Sequence, residues 1–517
     1  MLKTVAKYIT TDDPQTKIGL WLGPLISIAI FLFADLDPDH PAVTKMAAVA
    51  VLMAIWWITE AIPIPATALL PVALFPLLGV MKGKAVAATY FNHIIFLFIG
   101  GFIMALALQK WKLHRRIALR IIMLIGSSPR RILLGFMVAT ALLSMWISNT
   151  ATTMMMVPIA LAIILKFREW QKSQEISRFS VGLLIGIAYS ASIGGVATLI
   201  GTPPNLSFAR IFAIYFPEAP EISFATWFTF GLPLTVVFLL IAWIVLILIF
   251  IRRRPELTRP GLFRAEYARL GKITYEEKVV LGFFLLLAAL WLFRQDIVLG
   301  GVTLPGWSSL WSMPAFIDDG TVAITVAMIL FIIPARNKKG RLMDWETASK
   351  LQWGIVLLFG GGFALAAGFK ESGLSVWVAQ RLIGLGDISP VFLIASTCSM
   401  ITFLTELTSN TATSEMVLPL LGSLAAAIET NPLLLMIPAT LSASCAFMLP
   451  VATPPNAIAF GSGEIKMWDM VKAGFVMNLI GIVLITTMIY LWGTSVFGID
   501  PAVFPDWADI AGSPQPR

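Results

Sequence analysis

Two short polar tracts carry most of the chemistry available to this chain. Ser148-Asn149-Thr150-Ala151-Thr152 recurs as Ser409-Asn410-Thr411-Ala412-Thr413, and each copy is followed by Thr-Pro-Pro-Asn, at 202–205 and again at 453–456. Ser, Asn and Thr are N-cap residues, and a helix that starts at them leaves up to four N–H groups unpaired and aimed at its own beginning. Two such starts facing each other make an anion site that needs no Arg or Lys. The prolines act on carbonyls instead. Pro203 and Pro204 have no N–H to donate and clash with the preceding turn, so the carbonyls of Leu199 and Ile200 lose their helical partners; the second copy frees those of Pro450 and Val451. Loose carbonyls in a broken helix suit a hard monovalent cation. An anion site beside a cation site predicts coupled transport.

The elements that position these tracts are duplicated with them. Gly100-Gly101-Phe102 matches Gly361-Gly362-Phe363, Pro158 matches Pro419 and Ser144 matches Thr405, all 261 residues apart. Hydrophobic residues make up 58% of 517 and charged residues only 13%, about half of what a soluble domain carries. The chain therefore reads as a polytopic membrane protein, with the lipid bilayer as its solvent. The formal charge of +8 does not indicate nucleic acid, because the basic residues sit in short clusters between apolar runs, as in cytoplasmic loops. Cys398 and Cys445 both lie in apolar stretches and give neither a disulfide framework nor metal-ligand spacing. No cleavable signal is apparent at the N-terminus.

Lys and Arg placement gives the topology. Lys3, Lys7 and Lys17 precede a first span at 18–33, and Asp35, Asp37 and Asp39 follow it, so the N-terminus is expected in the cytoplasm. Spans at 43–62, 64–80 and 93–110 return the chain to Lys112, Arg115, Arg116 and Arg120. The next apolar stretch climbs from Arg130 and Arg131 to Ser148 and returns to Lys166, Arg168 and Lys172. Arms of about 16 residues are short for a crossing, and both ends are basic, so a re-entrant helical hairpin is expected with the tract at its tip. An interrupted segment at 181–214, acidic Glu218 and Glu221, and a span at 227–251 ending in Arg252-Arg253-Arg254 close the first half inside.

The second half repeats this plan inverted. A basic connector leads to spans at 278–297 and 319–333, joined outside by a Trp-rich loop, and then to Lys338, Lys339 and Arg341. A span at 354–369 precedes a hairpin at 391–428, flanked by Glu371, Asp387 and Glu429. A second interrupted segment at 432–460, Lys466 and a last span at 471–492 leave the C-terminus outside. The expected fold is all-α, with about 11 transmembrane helices and two opposed re-entrant hairpins in two inverted-topology repeats, a pattern of secondary transporters whose substrate sits at the repeat interface. The corresponding divisions are an N-terminal segment and first span (1–40), a first repeat (41–254), a connector (255–277), a second repeat (278–495) and an external tail (496–517).

The doubled Ser-Asn-Thr and Thr-Pro-Pro-Asn motifs, at these places in two inverted halves, resemble the divalent anion/sodium symporter family, the sodium-coupled di- and tricarboxylate transporters. The likeness covers about 40–495. It implies an elevator-type carrier in a bacterial inner membrane, with a scaffold domain holding a homodimer together and a transport domain carrying both hairpins. By motif position, Ser148, Asn149, Thr150, Ser409, Asn410 and Thr411 would bind substrate carboxylates, with Thr202 and Thr453 adjacent. One sodium site would use Ser144, Asn149 and Gly201; the other would use Thr405, Asn410 and Ala452. Sodium ions would be co-transported, and no organic cofactor is implied.

Competing readings of single features are blander. One Ser-Asn-Thr tract in an apolar run is more often a helix cap or an interhelical hydrogen-bond tract, but two copies, each with its Thr-Pro-Pro-Asn, reverse that balance. The glycine pairs are assigned to close helix packing, since no Lys-Ser/Thr follows them. Glu406 and Glu415 flank the second tip where the first half has Met145 and Met154. An ionisable residue at such depth is a functional candidate, and a hairpin helix facing a wet cavity is the equal alternative. Glu60 and the lone His93 read as structural. Three histidines, with no His-Glu-x-x-His and no Gly-x-Ser-x-Gly, argue against an enzyme. A tip at each end of the site, each with a hydroxyl, an amide and helix N–H groups, suits a four-carbon dicarboxylate such as succinate, fumarate or malate. A sodium-independent exchanger of dicarboxylates, citrate or tartrate, and a sulfate permease, are the alternatives within the same resemblance. The lack of Lys or Arg near either tract favours sodium, because something must neutralise the anion in a low-dielectric site.

Overall fold

The computed structural model describes residues 14–170, 174–251, 262–299, 302–337, 339–382, 384 and 388–509. Lys3, Lys7, Lys172, Arg252-Arg253-Arg254, Lys338, Asp387 and the last residues of the tail, which entered the topology argument, lie outside them. The first half contains α1 (Pro14–Phe33), α2 (Pro41–Thr59), α3 (Ile64–Thr67), α4 (Leu70–Leu78), α5 (Gly83–Tyr90), α6 (His93–Lys110) and α7 (Leu113–Ile125). It continues with hairpin arms α8 (Pro129–Ser144) and α9 (Asn149–Trp170), then α10 (Gln174–Gly195), α11 (Pro203–Tyr215) and α12 (Phe224–Phe250). In the second half α13 (Leu262–Ala268), α14 (Tyr275–Leu292), α15 (Asp319–Ile332) and α16 (Trp345–Ala348) lead to α17 (Trp353–Ser372) and α18 (Leu374–Leu382). The second hairpin, α19 (Pro390–Thr405) and α20 (Asn410–Ala427), is followed by α21 (Leu433–Ala443), α22 (Pro454–Phe460), α23 (Met467–Met488) and α24 (Thr494–Phe497). Among the described residues the only β-strands form a two-stranded ribbon in the Trp-rich loop, β1 (Ile297–Leu299) antiparallel to β2 (Val302–Leu304).

The internal repeat holds at the level of element boundaries. Helices α7 and α18, α8 and α19, and α9 and α20 start at positions 261 residues apart. The halves then diverge: α10 runs 22 residues unbroken, whereas its counterpart α21 has 11. Pro432 delays the start of α21 and Pro450 adds a second breaker before the Pro-Pro pair, so the second interruption is longer.

Eight helices among the described residues are long and apolar enough to cross a membrane. Arm α9, expected to be short for a crossing, is among them with 22 residues. The expected spans at 64–80, 278–297 and 319–333 are not: α14 carries Glu276, Glu277 and Lys278 in its first turn, α15 has 14 residues, and α3 and α4 are separate short helices, split where Pro71 has no N–H for the Thr67 carbonyl. The Ala68 carbonyl freed by this break accepts from Tyr90 Oη at 2.5 Å, so the interruption is satisfied inside the protein. The basic cluster after α6, expected as a loop, forms helix α7, whose Arg116 reaches Glu277 Oε1 at 2.8 Å and binds the two halves. The centre of the molecule is α10, 89% buried over its most apolar window, whereas α1 is 11% buried and presents its apolar side chains outward as a lipid-facing helix would.

The glycine pairs set the closest helix approaches. A Cβ on Gly100 would lie 2.6 Å from the Ala323 carbonyl carbon, and one on Gly361 would lie 2.4 Å from the Ala68 oxygen. Thus α6 packs on α15, and α17 on the α3–α4 break, with contacts only glycine permits.

Candidate functional site

Each tract begins a helix at a hairpin tip, as the capping argument requires. In the first tip Ser148 Oγ accepts from Ala151 N at 3.3 Å; in the second, Ser409 occupies the N-cap position without a side-chain cap bond. The N–H groups of Asn410, Thr411 and Ala412 have no carbonyl one turn earlier in their own helix to bond. Thr202 and Thr453 cap α11 and α22 in the same relation; Thr453 Oγ1 accepts from Asn456 N at 3.3 Å, while Thr202 makes no cap bond and is buried.

The hairpins are interleaved between halves. Arm α9 packs on α22, and arm α20 on α11, so each tract's helix lies against the Pro-Pro helix of the other repeat. Ser207 of α11 bonds Glu415 of α20, and Arg168 of α9 pairs with Glu464 just beyond α22.

The hydroxyl and asparagine of each candidate cation set meet in both repeats with the same geometry. Ser144 Oγ lies 2.6 Å from Asn149 Oδ1 and 2.7 Å from the Ala191 carbonyl oxygen. Thr405 Oγ1 lies 2.7 Å from Asn410 Oδ1 and 2.9 Å from the Ala443 oxygen. A hydroxyl has one proton to give, so each triad holds three oxygens in contact and a surplus of lone pairs. The carbonyls of Ala191 and Ala443 carry no side-chain signal that could single them out. Gly195 stands beside both Asn149 and Gly201: a Cβ there would sit 2.7 Å from Asn149 Oδ1 and 3.1 Å from the Gly201 oxygen. Ala452 lies in the second break with its N–H on the Leu449 oxygen at 3.2 Å, a contact that does not join it to Asn410.

A Cβ on Gly201 would lie 2.4 Å from the Gly195 oxygen, a backbone atom that cannot swing aside. Gly201→Ala is therefore expected to displace the first break and lower transport by at least about tenfold, the effect of roughly 1.4 kcal/mol. Unchanged uptake by this variant at equal membrane abundance would show that the break is not tightly closed.

The asparagines of Thr-Pro-Pro-Asn act as staples. Asn205 Nδ2 donates to the oxygens of Gly195, Val196 and Thr198, at 3.2, 3.3 and 2.7 Å. Asn456 Nδ2 donates to those of Ala446 and Leu449, both at 3.0 Å. Each holds the loosened carbonyl end of one helix against the start of the next. Both stood in the quoted motif without an assigned role, because their partners are backbone atoms of the break.

The two carboxylates beside the second tip separate into different environments. Glu406 is buried and Oε1 accepts from Phe447 N (2.7 Å), Met448 N (2.8 Å) and Asn478 Nδ2 (2.8 Å), while Oε2 accepts from Leu449 N at 3.0 Å. Three successive amides cradle an anion supplied by the chain itself. In the first half the same place is tied by Thr198 Oγ1 donating to the Met145 carbonyl at 2.5 Å. Glu406 is thus a brace of the second break. Glu415 is fully buried, with Oε1 2.5 Å from Ser207 Oγ. Glu60 ends α2 in a left-handed conformation, and His93 starts α6.

Comparison with known proteins agrees with this architecture. The family model described as "Sodium:sulfate symporter transmembrane region" matches residues 20–499. A protein of Staphylococcus saprophyticus named "Sodium-dependent dicarboxylate transporter SdcS" is 45% identical over 492 residues, covering 93% of this chain and 92% of the relative. A protein of Staphylococcus aureus with the same name is 45% identical over 491 residues, with the same coverage. Among solved structures, Neisseria gonorrhoeae MtrF, described as illuminating a class of antimetabolite efflux pumps, superposes with a TM-score of 0.55 at 14% identity, covering 91% of this chain and 97% of that one. The Alcanivorax borkumensis YdaH transporter gives 0.51 at 12% identity, covering 86% and 98%. At such identities these two likenesses speak for the fold alone.

Proposed function

The chain belongs to the sodium:sulfate symporter transmembrane family of integral membrane transporters, and from that premise we propose that it imports four-carbon dicarboxylates such as succinate, fumarate and malate by sodium symport. The observation that carries this reading is the duplicated oxygen triad, Ser144–Asn149–Ala191 and Thr405–Asn410–Ala443, at the start of each tip helix. Sodium bound among those neutral oxygens supplies the positive charge that the tips lack. The names of the staphylococcal relatives support both the cation and the substrate class.

In this mechanism sodium binds first, through Ser144, Asn149 and Gly201 on one side and Thr405, Asn410 and Ala452 on the other. The asparagines are then fixed with their amides turned toward the substrate. A dianion bridges the two tips, one carboxylate on Ser148, Asn149 and Thr150 and the other on Ser409, Asn410 and Thr411, with Thr202 and Thr453 beside them. The loaded hairpins move together as a transport domain past a scaffold held in a homodimer, an elevator movement in the plasma membrane. The halves at 41–254 and 278–495 lie in opposite orientation, with the N-terminus cytoplasmic and the C-terminus external.

The test is uptake of radiolabelled succinate into proteoliposomes, with an inward sodium gradient compared against an equal potassium gradient, and with internal succinate present or absent. Sodium-driven uptake into empty vesicles is the expected result. Uptake that ignores sodium and needs internal dicarboxylate would replace symport by exchange. No succinate uptake, with sodium-driven sulfate uptake instead, would overturn the substrate.

A further inference from the structure

Glu415 is a carboxyl group for which the transport reading has no use. It is completely buried, Oε1 meets Ser207 Oγ at 2.5 Å, and Oε2 has no hydrogen-bond partner. It is seated against bare backbone: a Cβ on Gly362 of α17 would fall 1.8 Å from Oε2. Its counterpart, Met154, is 55% exposed, so this feature belongs to the second hairpin alone.

Among the described residues no counter-charge reaches it. The elements packed on α20 are α2, α11, α17, α18, α19 and α21. They offer Lys45 on α2, Arg210 and Tyr215 on α11, Lys370 and Glu371 on α17, Arg381 on α18 and Cys398 on α19; α21 has no titratable side chain. Lys370 is engaged with the Ile214 and Tyr215 oxygens, and Arg381 lies over the Trp377 ring. None of these groups bonds or ion-pairs with Glu415 among the described residues. An unpaired buried charge is far more costly than an unpaired neutral oxygen.

We propose that Glu415 is a proton-binding site that locks the second hairpin onto the first repeat. The hydrogen bonds fit a neutral acid: its O–H donates to Ser207 Oγ, and the Ser207 hydroxyl donates onward to the Pro203 carbonyl at 3.3 Å. Pro203 opens the Pro-Pro helix of the other half, so the proton bridges α20 to the break that frames the first cation triad. Removing the proton, which leaves to the aqueous phase, puts a negative charge on Oε2 with no donor beside it. The lock then opens, and uptake falls as pH rises.

Two measurements test this. The first is sodium-driven succinate uptake from about pH 6.5 to about pH 9.5, a range in which ordinary carboxyls are already ionised, by wild type and Glu415→Gln. Wild-type uptake is expected to fall by about tenfold per pH unit once the site empties, while the glutamine variant varies by less than about twofold across the range. The second is the infrared difference between wild type and Glu415→Gln in lipid at neutral pH, which needs no substrate. A protonated-carboxyl C=O band in the wild type is expected, and Ser207→Ala, which leaves the acid but removes its partner, should move it. The proposal is overturned by absence of that band, by a flat wild-type profile, or by a glutamine variant that keeps the wild-type slope. If succinate is not transported, the infrared band still decides the protonation state.

Discussion

Asn149→Ala and Asn410→Ala are each expected to reduce sodium-driven uptake by about 100-fold or more. Each asparagine stands in two places at once. Its Oδ1 completes an oxygen triad with Ser144 or Thr405 at 2.6 or 2.7 Å, and its backbone N–H opens the hairpin helix proposed to meet the substrate. Alanine keeps the N–H and deletes the side chain, so cation and substrate are weakened together. Loss of one hydrogen bond or ligand contact to a charged species costs about 1.5–3 kcal/mol, and about 2.8 kcal/mol corresponds to 100-fold. The diagnostic readout is the sodium dependence: the concentration for half-maximal uptake should rise along with the apparent KM for succinate. Normal sodium-dependent uptake in both variants would sink the assignment of these tips. A rise in the succinate KM alone would confine the asparagines to the substrate.

Glu406→Ala is expected to be the most destabilising single substitution near the site. The carboxylate takes three consecutive amide N–H groups and the Asn478 amide; Phe447 and Asn478 are buried, Met448 and Leu449 half-buried. Alanine leaves those four donors without their acceptor, at about 1–3 kcal/mol for each one that water does not reach, so a loss of at least about 3 kcal/mol is expected. Glu406→Gln should cost less, since one oxygen still accepts, while its NH2 is forced against an N–H. The measurement is the apparent Tm of purified protein followed by tryptophan fluorescence, with abundance in the membrane as a second readout. An alanine variant with wild-type Tm would show that the amides at 447–449 find other acceptors. A normal Tm with lost uptake would move Glu406 from brace to ligand.

The hairpins were legible from the chain because they rest on local rules. A polar tract in an apolar run starts a helix at its own residues, and Asn149 and Asn410 are the first residues of α9 and α20. The breaks before Pro203 and Pro454 were legible because a missing N–H is a property of proline itself. The division of 64–80 into α3 and α4 follows from the same rule applied to Pro71, and is hidden in the sequence because apolar run length outweighs one proline.

A duplicated, membrane-embedded helical protein with paired helix starts and paired breaks can be read from the chain alone, because apolar length, capping chemistry and proline all act over a few neighbouring residues. Which atoms those starts meet is settled by how the helices pack. The carbonyls of Ala191 and Ala443 complete the triads, although nothing in an alanine side chain announces its carbonyl. Glu406 and Glu415, nine residues apart beside the same tip, could not be told apart by type or depth. One folds onto three amides and the other onto a single hydroxyl and a glycine backbone. The role of a buried carboxyl is set by the donors that surround it, and those donors come from segments distant in sequence whose approach is fixed only when the helices pack.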